Sequence, residues 1–150
     1  MKIRAAKLGD EQAIFALIQE LALYEKAPEQ VNNTAEQLRI DLFQSFLCEA
    51  IVAENNKEII GFALYYTSYS TWKGVSLYLE DFYVQENYRK KGVGNLLFEK
   101  VVEIAKEKKV KRMDWQVLEW NKLALDFYDK KGAELSAEWI NGRLYFDYES

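Results

Sequence analysis

Residues 78–109 read YLEDFYVQENYRKKGVGNLLFEKVVEIAKEKK, and their order decides the fold. Tyr78 to Val84 is rich in aromatic and branched side chains, the signature of a strand. From Asn95 onward, Leu97, Val101, Ile104 and Ala105 recur at helical spacing, so this part reads as an amphipathic helix. Between them lies a basic turn, Arg89-Lys90-Lys91-Gly92-Val93-Gly94. The first turn of a helix presents unpaired N–H groups and the positive end of its dipole, so an anion is well placed there. Glycine lets backbone approach the ligand closely, and the three cationic side chains add positive potential. Strand, basic turn and amphipathic helix in this order point to a phosphate site.

Two common phosphate folds do not fit. A dinucleotide fingerprint needs a third glycine, and position 97 is Leu97; a Walker loop needs G-K-S/T, which does not occur. Wider composition narrows the chemistry further. With 150 residues, 49% of them apolar, the chain is expected to be one domain, residues 1–150, with a substantial core. A net charge of −4 and a pI of about 5.1, with scattered basic residues, speak against a nucleic-acid surface. The sequence has no histidine, which removes Ser-His and Cys-His catalysis and histidine metal sites; no metal is expected. Cys48 is the only cysteine, so the chain can close no disulfide on itself. MKIRAAKLGDEQ is too polar for a signal peptide, and no apolar run approaches the ~20 residues of a membrane span. A cytoplasmic protein with no membrane association is expected.

Working outward, Lys2 to Ala6 alternates as a strand, and Asp10 is placed to cap a helix to about Lys26. Pro28 and Asn32-Asn33 mark a loop, and Thr34 with Gln37 forms a capping-box pattern for a helix through about Phe43. Phe46 to Ala53 and Ile59 to Thr67 read as antiparallel strands around Asn55-Asn56-Lys57. Ser68 to Gly74 reads as a loop. Beyond the long helix, Lys111 to Val117 reads as a strand, and Asn121 opens a helix that Gly132 closes. Ala133 to Trp139 and Arg143 to Tyr148 flank Asn141-Gly142, a type I′ hairpin signal. The expected class is mixed α/β with helices on both faces of a sheet of about seven strands, most of them antiparallel.

The R-x-x-G-x-G turn, together with VLEWNKLALDFYDKKGAEL, ELALYEKAPEQV, GFALYYTSYSTW and YLEDFYV, resembles the GNAT acetyltransferase superfamily, in particular its spermidine/spermine and thialysine N-acetyltransferase branch. The resemblance implies acetyl-CoA as co-substrate, its pyrophosphate on Arg89, Lys90, Lys91, Gly92, Val93, Gly94 and Asn95. It implies a central strand pair that splays, with the pantetheine arm along Phe82, Tyr83 and Val84 like an added strand. It also places Asn121 and Ala124 against that arm. Relatives of this branch are homodimers that build each amine site at the subunit boundary. Trp139, Tyr145 and Phe146 are the expected aromatic contributors to such an interface.

Acetyl transfer to an amine needs a neutral nucleophile and a proton for the leaving thiolate. Tyr128 matches the acid of the family, and a phenol stays protonated at neutral pH. Glu80 is the expected proton relay for the amine, with Asp81 as a secondary substrate contact. Strict alternation sends these neighbours to opposite faces, and a bulge, which the superfamily carries here, brings both to the cleft. Tyr24 and Glu25 match the amine-binding pair, and Trp72 matches an aromatic beside the substrate. The implied reaction is direct transfer to a primary amine of a small cation: a polyamine, a diamine, or a lysine analogue such as thialysine. Ser70 and Ile140 stand where polyamine enzymes carry acidic residues, so the charges favour the shorter amine. Alternatives are a protein N-acetyltransferase of the same fold, or a silent acyl-CoA-binding module, against which Tyr128 and Glu80 argue.

Overall fold

The computed structural model describes residues 1–148, and the chain divides into two compact units, Met1–Gln116 and Val117–Ser150. The first holds β1 (Lys2–Ala5), α1 (Glu11–Tyr24), α2 (Ala35–Phe43), β2 (Glu49–Asn55), β3 (Glu58–Ser70), β4 (Gly74–Val84), α3 (Val93–Glu107) and β5 (Arg112–Asp114). The second holds α4 (Lys122–Lys130). The strands form one sheet in the order β1-β2-β3-β4-β5, antiparallel except for the parallel β4–β5 pair.

Alternation along the strands supplies two apolar faces. Ala50, Val52, Phe62 and Leu64 pack with Ile14 and Leu17 of α1 and Leu38 and Leu42 of α2. The intervening positions face α3: a Cβ on Gly61 would lie 3.2 Å from Leu97 Cδ1, and the rings of Phe82 and Phe98 are 5.8 Å apart. Helices therefore cover both faces, as expected. A Cβ on Gly61 would also stand 3.1 Å from the Tyr83 carbonyl oxygen, a tight contact that favours glycine here.

Helix ends repay close reading. Thr34 Oγ accepts from the Gln37 N–H at 3.1 Å, but the Gln37 side chain turns to Asp41, so half of the expected capping box forms. Asp10 stands at the start of α1 without capping it. Its carboxylate accepts instead from the Lys7 N–H at 2.8 Å and from Arg4 at 2.7 Å, fastening β1 to the turn before α1. At the other end, Lys26 adopts φ 64, and the N–H groups of Lys26 and Ala27 return to the carbonyls of Leu23 and Ala22. This is a Schellman closure with lysine where glycine is usual, and it fixes Tyr24 and Glu25 at the helix end.

Several sequence boundaries move. The strand expected from Phe46 begins at Glu49, because Phe46 takes a left-handed φ of 50 while Ser45 and Leu47 donate back to α2 carbonyls. The strand expected over 111–117 shortens to Arg112–Asp114. Ala133–Trp139 and Arg143–Tyr148 form no strands, so the described sheet has five strands, not about seven. A two-stranded ribbon is marginal unless a third strand or a helix covers it. Here Trp139 and Ile140 are 83% and 96% exposed, so that cover is missing within the chain.

Candidate active site

β4 carries the decisive irregularity. Leu64 pairs with Asp81, yet the next residue, Tyr65, pairs with Leu79, which leaves Glu80 as an extra residue in a bulge. Because Asp81 lies opposite Leu64, it shares the face covered by α1 and α2. Tyr83, two residues on, packs on that same face. The bulge expected from the resemblance thus falls at the two adjacent carboxylates.

Their environments differ. Glu80 is exposed, whereas Asp81 is half-buried. Desolvation, then the nearby Glu80 and Glu25 carboxylates, push the Asp81 carboxyl up to about 7. Burial also raises Glu25 above the usual carboxylate range. Glu25, Glu80 and Asp81 therefore gather where the end of α1 meets the bulge. Tyr66 and Tyr78, paired across β3 and β4 with rings 5.4 Å apart, flank this cluster. Burial, then Glu80, hold the Tyr78 phenol up to about 12, so it stays a hydroxyl at neutral pH. Sequence reading missed this tyrosine pair; the signal was the matched pair of tyrosines in facing strands.

β4 outruns its neighbour. The ladder to β5 ends at Tyr78↔Asp114, whereas β4 continues to Val84, so the two strands part beside Glu80 and Asp81. Past Val84 the chain winds through a 3-10 turn, Glu86–Lys91, into Gly92 at φ 79, the residue that opens α3. A Cβ on Gly92 would meet no atom within 4 Å, and Lys90 and Lys91 beside it are exposed. A cationic, open turn at the start of a long helix fits a pyrophosphate, and the open side of β4 fits an amide-bearing arm. Val93 and Gly94 lie in the first turn of the helix, and a Cβ on Gly94 would meet Phe82 at an ordinary 3.7 Å. Asn95 follows, exposed.

Arg89 behaves differently from the lysines. Its Nε donates to the Val84 carbonyl at 2.8 Å, so one of the backbone groups expected to meet the cofactor arm already has a partner. Glu20, also missed in the sequence, accepts from the Tyr83 hydroxyl at 3.2 Å and from Gln85 Nε2 at 3.1 Å. Its signal was position: it stands one helical turn before Tyr24.

Trp72 lies apart. It is 85% exposed in the turn joining β3 to β4, where Ser70 pairs with Gly74. From there to the Leu64–Asp81 pair the strand runs about 20 Å, so Trp72 does not reach the acidic cluster of its own chain. In the second unit, Asn121 caps α4 through Oδ1, which accepts from the Ala124 N–H at 3.2 Å. Tyr128 is buried and its ring meets Phe127 edge-on. Gly132 at φ 80 closes the helix by a second Schellman pair, its N–H and that of Ala133 returning to Asp129 and Tyr128. Among the described residues no three Cys, Asp or Glu side chains gather to hold a metal ion, and no helix is long and apolar enough to cross a membrane.

Comparison with known proteins gives consistent matches. The model of the Acetyltransferase (GNAT) family matches residues 14–133. A thialysine N-epsilon-acetyltransferase from Bos taurus is 42% identical over 141 residues, 88% of this chain and 83% of that protein. The human spermidine/spermine N(1)-acetyltransferase-like protein 1 is 36% identical over 148 residues, 91% of this chain but 21% of its own length. Among solved structures, a possible acetyltransferase from Clostridium difficile 630 superposes with a TM-score of 0.79 at 20% identity, covering 97% of this chain and 98% of the other, a likeness of fold.

Proposed function

The chain belongs to the GNAT acetyltransferase family, and from that premise we propose an N-acetyltransferase that moves an acetyl group directly onto a primary amine of a small cationic molecule, a lysine analogue such as thialysine. The observation that carries this reading is Asp81, half-buried beside Glu25 and Glu80 at the bulge. Three carboxylates suit an alkylammonium, and a carboxyl near neutrality is matched to taking its proton.

Acetyl-CoA supplies the thioester carbonyl and the leaving thiolate. Gly92, Val93, Gly94 and Asn95 offer backbone N–H groups to its pyrophosphate, with Lys90 and Lys91 adding charge. The edge of β4 beyond the β5 ladder would orient the pantetheine arm, and the family resemblance alone assigns Asn121 and Ala124 to that arm. Tyr24 and Glu25 receive the cation from the α1 side. The burial difference gives the first proton transfer to Asp81, and exposed Glu80 relays that proton to solvent. Tyr128, the acid implied by the resemblance, would give its phenolic proton to the departing sulfur, leaving a phenolate to be reprotonated from solvent.

We read residues 1–150 as one catalytic domain, since the family match runs from the first unit into the second. The protein is a cytoplasmic homodimer in this reading. The distance of Trp72 from its own Asp81 and the exposure of Trp139, Tyr145 and Phe146 support a site shared between subunits. The branch resemblance and the thialysine relatives support the amine over a peptide acceptor. The test is thiol release from acetyl-CoA across thialysine, spermidine, a short diamine and an N-terminal peptide. Thialysine is expected to give the highest kcat/KM; a preference for the peptide, or no thiol release with any amine, would overturn the reading.

A further inference from the structure

Arg89 opens the R-x-x-G-x-G turn, and its sequence position alone makes it a phosphate ligand. Its side chain does something else. Nε donates to the Val84 carbonyl at 2.8 Å, and the guanidinium carbon lies 4.8 Å from the Tyr24 ring centroid and 5.2 Å from that of Tyr83. The planar cation is held against two aromatic rings, one on α1 and one on β4. Tyr83 is in turn fastened to Glu20, which also accepts from Gln85. Glu20, Leu23, Tyr24, Tyr83, Glu86 and Arg89 line a cavity of about 390 Å³. Arg89 makes no ion pair with a carboxylate among the described residues, and it meets two rings and a carbonyl instead.

We infer that Arg89 is a positioning residue for the amine site and not a ligand of the pyrophosphate: it clamps the turn to Tyr24 and so sets where the end of α1 stands against β4. The inference rests on the proposed amine site at Tyr24 and Glu25. The chemistry that requires arginine is the combination of a directional Nε–H with a flat face that stacks. A lysine ammonium supplies the same charge to a phosphate but has no Nε–H to donate to Val84 while its cationic head stays against both rings. Phosphate binding then belongs to Lys90, Lys91 and the backbone from Gly92 onward.

Two co-substrates separate the roles: acetyl-CoA, and S-acetyl-pantetheine, which lacks the phosphates. In Arg89→Met the amine KM is expected to rise about tenfold, with the preference for acetyl-CoA over S-acetyl-pantetheine retained. Arg89→Lys should fail in the same way. Restoration of the wild-type amine KM by lysine, or a loss confined to acetyl-CoA, would overturn the inference. Wild-type turnover of the amine panel decides the functional reading separately. Should no amine be turned over, calorimetric titration of acetyl-CoA still decides the role of Arg89. Affinity within about twofold of wild type in Arg89→Met supports the clamp, and a loss of about tenfold or more assigns Arg89 to the phosphate.

Discussion

The β3–β4 hairpin and the segment 133–148 carry the same kind of sequence signal and reach opposite outcomes. Both are aromatic stretches joined by a short turn. In the first, ten residue pairs run from Gly61↔Val84 to Ser70↔Gly74, and helices cover both faces. In the second, Asn141-Gly142 offers the stronger local turn, yet no ladder forms and Tyr145 and Phe146 are 80% and 71% exposed. A turn sets where a strand pair can start. Burial of its faces decides whether it persists.

In the proposed reading the covered sheet serves the chemistry and the uncovered segment serves assembly, and four experiments bear on that division. The largest effect is expected from Tyr128→Phe, which keeps the ring and removes the proton. Turnover should fall ~10²- to 10⁴-fold with acetyl-CoA affinity little changed; wild-type turnover would reduce this tyrosine to packing. Asp81→Asn should lower turnover ~10²-fold or more and abolish the rise in kcat/KM through pH 7 that ionisation of Asp81 produces. Its stability effect has a definite sign. Because the folded-state value is raised to about 7, the native state holds a proton that the unfolded chain has lost, so stability is full below about pH 4 and declines as pH rises toward 7. Thermal melts should therefore show Asp81→Asn more stable than wild type at pH 8 and little different at pH 4.

A smaller effect tests the turn beyond β4. Gly92→Asn, which tolerates φ 79, should keep the fold while weakening acetyl-CoA about tenfold in a calorimetric titration. Gly92→Val should lose binding as well and add strain on the order of 1–3 kcal/mol. Unchanged affinity in the asparagine variant would place the pyrophosphate elsewhere. The smallest effect addresses the uncovered segment: Trp139→Ser with Phe146→Ser should shift the protein toward monomer by light scattering at micromolar concentration and lower amine turnover a few-fold. A wild-type monomer with full activity would rule out a shared site.

Much of the covered sheet was legible beforehand because its signals are local. Aromatic and branched side chains marked β4, apolar spacing marked α3, and Asn121 and Gly132 marked both ends of α4. Phe46 misled because an aromatic residue beside apolar neighbours reads as strand, while its backbone is committed to closing α2. The carboxylates at 80 and 81 were legible, but their division into exposed and half-buried is set by α1 and β3, far away in sequence. The inward turn of Arg89 had no sequence signal at all, since a basic residue before glycine reads the same wherever its guanidinium points.

The bulge at Glu80 has a bearing on how this gene can change. Substituting the codon for Glu80 alters one side chain, but deleting it would let Asp81 and Leu79 face consecutive β3 residues in an unbroken ladder. Because Asp81 and Leu79 already face Leu64 and Tyr65, every other β4 side chain would keep its present face, and only the bulge that brings Glu80 beside Asp81 would go. A three-nucleotide loss in this place would thus spare both cores and fall on the carboxylate pair alone.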